Sequence, residues 1–173
     1  KSQLDLKKDG KVLLRGLKRN YYYHVREWPY KNVQPRILAE KYLENDSNAA
    51  LIVYKVFNFN GIPKIIQVIQ GDKTKNETID YFDTEWNLLN LHQNYPNSQY
   101  HLPKPKELNE MLKLSSICST HFPFLRTDWY IVGGQIYFSE FTFYSDAGME
   151  PFYPEEWDLK LGEWIELPDK EAT

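Results

Sequence analysis

The sequence predicts an α+β fold, an antiparallel sheet flanked by helices. Three observations predict it. Runs rich in aromatic and β-branched residues recur along a chain that holds 13 Tyr, 9 Phe and 5 Trp, and such residues suit the pleated, half-buried surface of a strand. Two pairs of these runs meet across the tight-turn dipeptides Asn60-Gly61 and Gly133-Gly134. Helix-period segments stand before, between and after the strands instead of alternating with them, which argues against parallel βαβ units.

In chain order, LDLKKDGKVLLRGLKRN sets Leu4, Leu6, Val12–Leu14 and Leu17 among basic residues, predicting a short turn and an amphipathic helix. NYYYHVREWPYKNVQPR, aromatic and basic with two prolines, is expected to be irregular. RILAEKYL reads as a strand leading into a connection, and ENDSN as a polar loop. ALIVYKVFNFNGIPKIIQVIQ predicts two strands around Asn60-Gly61, and TIDYFDTEWNLL a further strand and turn. YPNSQYHLPKPK is a proline-broken loop. In PKELNEMLKLSSICSTH, Pro105 suits a first helical turn, and Leu108, Met111, Leu112 and Ser115 share one face. PEEWDLKLGEWIEL closes the chain as a short helix with Trp157, Leu161 and Trp164 on one stripe.

Composition narrows the function. A net charge of −3 and a pI near 5.8 lack the basic field that nucleic acid or an acidic membrane demands. No apolar run reaches the roughly 18 residues of a membrane span. The single Cys118 excludes an intramolecular disulfide and agrees with a reducing, cytoplasmic compartment. His24, His92, His101 and His121 are scattered without metal-ligand spacing.

The stretch RTDWYIVGGQIYFSEFT, residues 126–142, poses the sharpest question: an apolar hairpin carries Arg126, Asp128 and Glu140. A two-residue Gly-Gly turn sets Ser139 across from Asp128 and sends Glu140 to the opposite face. A three-residue loop, Gly133-Gly134-Gln135, pairs Asp128 with Glu140 and Arg126 with Thr142 instead. In that second register one face is polar at its far end, and the other (Leu125, Trp129, Ile131, Tyr137, Phe141, Phe143) is apolar enough for a helix to cover. Two carboxylates set opposite one another repel, and a divalent cation such as Mg²⁺, which takes hard oxygen ligands and substrate phosphates, relieves that conflict. Arg126 is then a phosphate-holding cation. The plainer alternative is a solvated strand face with an inconsequential ion pair.

Several blocks, YYYHVREWPYKNVQPRILAEKYL, YKVFNFNGIPKIIQV, DTEWNLL, FPFLRTDWYIVGGQIYFSEFTFY and PFYPEEWDLKLGEW, together resemble the TupA-like (teichuronopeptide biosynthesis) ATP-grasp family over nearly the whole chain. Members of that family are often found among bacterial surface-polysaccharide genes and are sometimes labelled glycosyltransferases. The resemblance implies an ATP-grasp C-terminal lobe and an enzyme that uses ATP and Mg²⁺ to turn a carboxylate into an acyl phosphate. An amine then attacks to give an amide. It implies Asp128 and Glu140 as metal-binding carboxylates, with Thr142 where the wider superfamily carries Asn. Arg126 matches the phosphate-facing arginine of an R-x-D block, and Lys73 a basic residue near the phosphates. Glu40, Lys41 and Leu43, in AEKYL, resemble the adenine hinge, and Lys55 belongs to the strand that floors the nucleotide cleft. The implied partners are a nucleotide and a small acid or amine, or a polysaccharide acceptor.

Two departures stand out. Val53 takes a place where relatives commonly carry an acid that holds the ribose, for which Glu44 is a candidate substitute. The family's upstream lysine and glycine-rich phosphate loop would precede Lys1, so residues 1–173 are expected to be one domain fragment, weak or inactive alone. Two rival functions stay open: a nucleotide-sugar glycosyltransferase, although the sequence has no D-x-D, and a non-catalytic polysaccharide-binding module supported by aromatic richness. Tyr21–Tyr23, Arg26, Glu27, Trp28 and Lys31 read as packing around a proline bend before they read as an acceptor surface. Glu150 is a candidate second-substrate contact or a cap of the helix that follows. Asp83, Glu85 and Trp86 form a structured turn.

Overall fold

The computed structural model describes residues 5–45 and 50–168, with nothing stated for the Leu6 side chain. Leu4 and positions 46–48 of the expected polar loop lie outside the described residues. The chain forms two compact units, Lys1–Tyr42 and Leu43–Thr173.

In the first unit, the expected helix is α1 (Leu6–Gly16), which begins directly after Asp5, whose carboxylate accepts from Lys7 N–H and Lys8 N–H, both at 3.0 Å. The aromatic stretch is less irregular than its prolines suggest. It holds a single helical turn, α2 (Tyr22–Val25), ended by Arg26 in the left-handed region, and then a 3₁₀ turn at Trp28–Tyr30. Tyr22 meets Trp28 edge to face, and the Lys31 ammonium lies over both rings. RILAEKYL does not form a strand: residues 34–42 lie in no helix or strand and pair with nothing in a sheet. A β-prone run becomes a strand only when another edge takes up its backbone groups.

The second unit is built on an antiparallel sheet of five strands, β1 (Val53–Phe59), β2 (Ile62–Gln70), β3 (Thr78–Phe82), β4 (Phe124–Val132) and β5 (Gln135–Thr142), in the order β3-β2-β1-β4-β5. The Asn60-Gly61 turn closes β1 on β2, with both residues at positive φ (50° and 81°). That is the geometry a two-residue hairpin requires, and Asn and Gly tolerate it best.

Alternation along the strands gives the sheet two apolar faces. Tyr54, Val56, Ile66, Val68, Phe82 and Trp129 point to one side, where α3 (Leu108–Ser119) covers them with Leu108 and Met111, both fully buried. The predicted helical face is therefore the buried one. On the other side, Val53, Phe57, Phe59, Ile65, Ile69, Ile79 and Tyr81 pack under Leu91, Phe152 and α4 (Glu156–Glu163), whose Leu161 enters the core beside Trp157 and Trp164. This second face is only partly apolar, and its polar part carries the candidate site.

Candidate active site

The hairpin resolves its register by a route that neither turn length anticipates. Gly133 and Gly134 form a two-residue turn at φ 56° and 74°, pairing Val132 with Gln135 and Trp129 with Phe138. Both positions need the left-handed backbone, which glycine adopts without strain. A bulge then follows: Ser139 has no partner, and Asp128 pairs with Glu140, Thr127 with Phe141 and Arg126 with Thr142. One extra residue in β5 flips the facing of everything beyond it. Of the two turn lengths left open by the sequence, the two-residue one is observed, and the bulge brings Glu140 opposite Asp128, as the three-residue loop would have done. The bulge also corrects the facing near the turn. Tyr137 pairs with Tyr130 on the site face, whereas Ile136 and Phe138 turn toward α3.

Because directly paired residues share a face, the registers lay one polar row across all five strands. Tyr81 pairs with Gln67, Gln67 with Lys55, Lys55 with Asp128 and Asp128 with Glu140. Arg126 stands in the next row, between Phe57 and Thr142.

Asp128, 2 % exposed, sits at the centre of this group. Arg126 donates from Nε to Asp128 Oδ1 at 2.9 Å and from Nη2 to Oδ2 at 3.0 Å, a bidentate pair. Lys55 Nζ lies 3.6 Å from Oδ2. The same guanidinium reaches Thr142 Oγ1 at 2.9 Å and Ser145 Oγ at 3.0 Å, and approaches Glu140 Oε1 at 3.5 Å. Two carboxylates thus face two cations, which answers why an apolar hairpin carries them: burial is tolerable because each buried charge has a partner. The Glu140 side chain is 60 % exposed, so its own pairing with Arg126 adds little stability.

The donor set suits a hard cation. Asp128, Glu140 and Thr142 present only oxygen toward one face, and Asp128 keeps lone pairs beyond those that Arg126 uses. Among the described residues there is no group of three or more His, Cys, Asp or Glu that would form a closed metal cage. Mg²⁺ seldom needs one, since it is usually held by one or two carboxylates with waters and substrate phosphates completing the shell. The residues fit the group.

Sequence-predicted residues outside the hairpin are distributed unevenly. Lys55 is in the row. Lys73 lies at φ 60° in the loop after β2, its side chain 89 % exposed and its Nζ 3.8 Å from Asp72. That loop begins past Gln70, about 10 Å along the strand from Gln67 at ~3.3 Å per residue. Glu40 and Lys41 are exposed residues of the first unit outside any helix or strand, and Leu43 is half-buried at the start of the second. Val53 is buried in the core.

Sequence reasoning missed Ser145 and the far end of the row. Tyr81 donates to Gln93 Oε1 at 2.6 Å and accepts from Gln67 Nε2 at 2.8 Å. Burial pushes the Tyr81 phenol well above its ordinary pKa, so it is a neutral hydroxyl donor at physiological pH. The available signal was Gln67, a polar residue at an inward position of the apolar run IIQVIQ.

Comparison with protein families decides what this arrangement belongs to. The model of the TupA-like ATP-grasp family matches residues 1–166. The chain belongs to the TupA-like ATP-grasp family. Its mixed α/β architecture with a five-stranded antiparallel sheet agrees with an ATP-grasp-like fold. Membership supports an ATP-grasp-type function in general terms. Searches among curated proteins and among solved structures returned no match. No helix of the described residues is long and apolar enough to cross a membrane.

Proposed function

We propose that this TupA-like protein is an ATP- and Mg²⁺-dependent carboxylate–amine ligase of bacterial cell-surface polysaccharide or teichuronopeptide biosynthesis. The observation that carries the reading is the bulge at Ser139, which sets Glu140 opposite Asp128 on the face where Arg126 and Lys55 lie. Asp128, Glu140 and Thr142 would hold Mg²⁺. When bound, the ion offsets phosphate charge during phosphoryl transfer.

The chain's own residues do the rest by positioning. Arg126 already holds its guanidinium in a fixed plane through Asp128, Thr142 and Ser145, so a phosphoryl oxygen meets a pre-oriented donor at little entropic cost. Lys55 supplies a second cation to the same carboxylate, which lets Arg126 turn part of its hydrogen bonding toward phosphate without stranding a buried charge. Leu43 would offer backbone groups to adenine, and Lys73 would reach the phosphates from its exposed loop. A carboxylate oxygen attacks the γ-phosphorus and ADP leaves. The amine then attacks the acyl carbon, phosphate departs and the amine loses a proton. No side-chain nucleophile is needed.

Thermal shifts of the full-length protein test this reading. Stabilisation by ATP with Mg²⁺, lost in Asp128→Asn and Glu140→Gln, supports the ligase. Stabilisation by a UDP-sugar alone would replace it with a glycosyltransferase, and a response to glycans alone with a binding module.

A further inference from the structure

The net charge of −3 conceals a segregation along the chain. The first unit, residues 1–42, carries 11 Lys and Arg against 4 Asp and Glu, whereas residues 43–173 carry 10 against 20. The first unit is therefore at +7 and the second at −10. The balance that argues against an acidic surface for the chain as a whole does not hold for its first unit, where the basic field is concentrated.

Helix α1 sorts that charge by face. At 3.6 residues per turn, Lys7, Lys8, Lys11 and Arg15 share one side, continued by Lys18 and Arg19 in the turns that follow, and all six are exposed. Gly10, Leu13, Leu14 and Leu17 share the other side. The one acid of α1, Asp9, is in the first turn, where it accepts from Asp5 N–H at 3.0 Å. The apolar side is open: Leu13 and Leu14 are 50 % and 61 % exposed, and a Cβ added at Gly10 would meet nothing within 4 Å. The stretch that follows adds exposed aromatic rings, Tyr21, Tyr23 and Trp28, with Lys31 Nζ 4.4 Å from the centre of the Trp28 ring. Such rings settle at the boundary between headgroups and acyl chains.

We propose that the first unit docks on an anionic lipid surface, with α1 lying in the interface, its leucines at the acyl boundary and its Lys and Arg among the phosphate headgroups. Charge complementarity selects an acidic surface, and the opposed apolar face selects a lipid one. Nucleic acid would match the charge but leave Leu13, Leu14 and Leu17 in water. A packed protein groove would leave a void at Gly10, which fluid acyl chains fill. The acidic second unit is repelled by the same surface, so attachment is through the first unit. The proposal does not depend on the ligase reading.

The test is co-sedimentation of the full-length protein with vesicles of phosphatidylcholine alone and of phosphatidylcholine mixed with phosphatidylglycerol. Binding is expected to the mixed vesicles only, falling as salt rises. Lys7→Gln/Lys11→Gln/Lys18→Gln and, separately, Leu13→Gln/Leu14→Gln should each weaken it by about tenfold or more. Both variants should keep the wild-type circular dichroism, because all five positions are exposed. Brominated acyl chains should quench tryptophan fluorescence in wild type and far less in Trp28→Phe. No binding to mixed vesicles, equal binding to both kinds, a loss confined to the lysine variant, or unchanged quenching in Trp28→Phe would overturn the proposal. Binding to a duplex oligonucleotide in place of vesicles, undiminished in the leucine variant, would overturn it in favour of nucleic acid.

Discussion

Arg126 and Asp128, two residues apart on one strand, form a two-point ion pair with both members almost wholly out of water: their side chains are 7 % and 3 % exposed. Residues i and i+2 share a strand face, so the R-x-D spacing alone makes the pair available. Removing one member leaves the other buried and uncompensated. Arg126→Ala should therefore lower stability by about 3–5 kcal/mol, read as a fall in the urea midpoint. Arg126→Ala combined with Asp128→Ala should recover part of that loss.

The Ser139 bulge gives a register prediction. Deleting Ser139 leaves a regular ladder from the Gly133-Gly134 turn, in which Glu140 still falls opposite Asp128. The deletion should keep the Mg²⁺-nucleotide thermal shift. The swap Ser139→Glu/Glu140→Ser moves the carboxylate onto the unpaired bulge residue and should abolish it. Loss of the shift in the deletion, in a protein whose circular dichroism is unchanged, would contradict the register argument.

The helix on the opposite face makes a packing prediction. Met111 of α3 is fully buried against the sheet, so Met111→Ala should cost about 2–5 kcal/mol through lost burial and the cavity left behind. Denaturant unfolding measures it. The surface position Lys113 on the same helix should change stability by no more than about 0.5 kcal/mol on conversion to alanine.

Acid should weaken the turn after β3. Burial raises the pKa of the Asp83 carboxyl, but hydrogen bonds from the Asn87 side chain and from backbone N–H groups outweigh it, and the net direction is down. A carboxylate with a depressed folded-state pKa stabilises fully above its unfolded-state value, and the contribution fades as pH falls through the folded-state value. The stability gap between wild type and Asp83→Ala, measured by urea unfolding, should be constant near neutrality and shrink in that acid range.

Much of the second unit was legible in its sequence. Asn60-Gly61 and Gly133-Gly134 announce their hairpins because only a left-handed backbone closes a two-residue turn, and Leu108, Met111 and Ser115 mark the buried face of α3 by spacing alone. The site was legible as a set of residues but not as a register. Nothing local distinguishes Ser139 from its neighbours, since a bulge is decided by how two strands fit over several residues. Gln67 and Tyr81 escaped for a related reason. Their meeting depends on β2–β3 pairing, which no single strand encodes. RILAEKYL misled because β-propensity is realised only against a neighbouring edge.

The most direct measurement is the Mg²⁺ dependence of nucleotide affinity, by calorimetry on the full-length protein, in wild type and Glu140→Gln. Glu140 is largely exposed, so the variant keeps the Arg126–Asp128 pair and the fold. If Asp128 and Glu140 share the ion, Mg²⁺ should tighten ATP binding in wild type, and the variant should lose about tenfold or more of that gain, ~1.4 kcal/mol. An identical Mg²⁺ dependence in the two proteins would contradict the account.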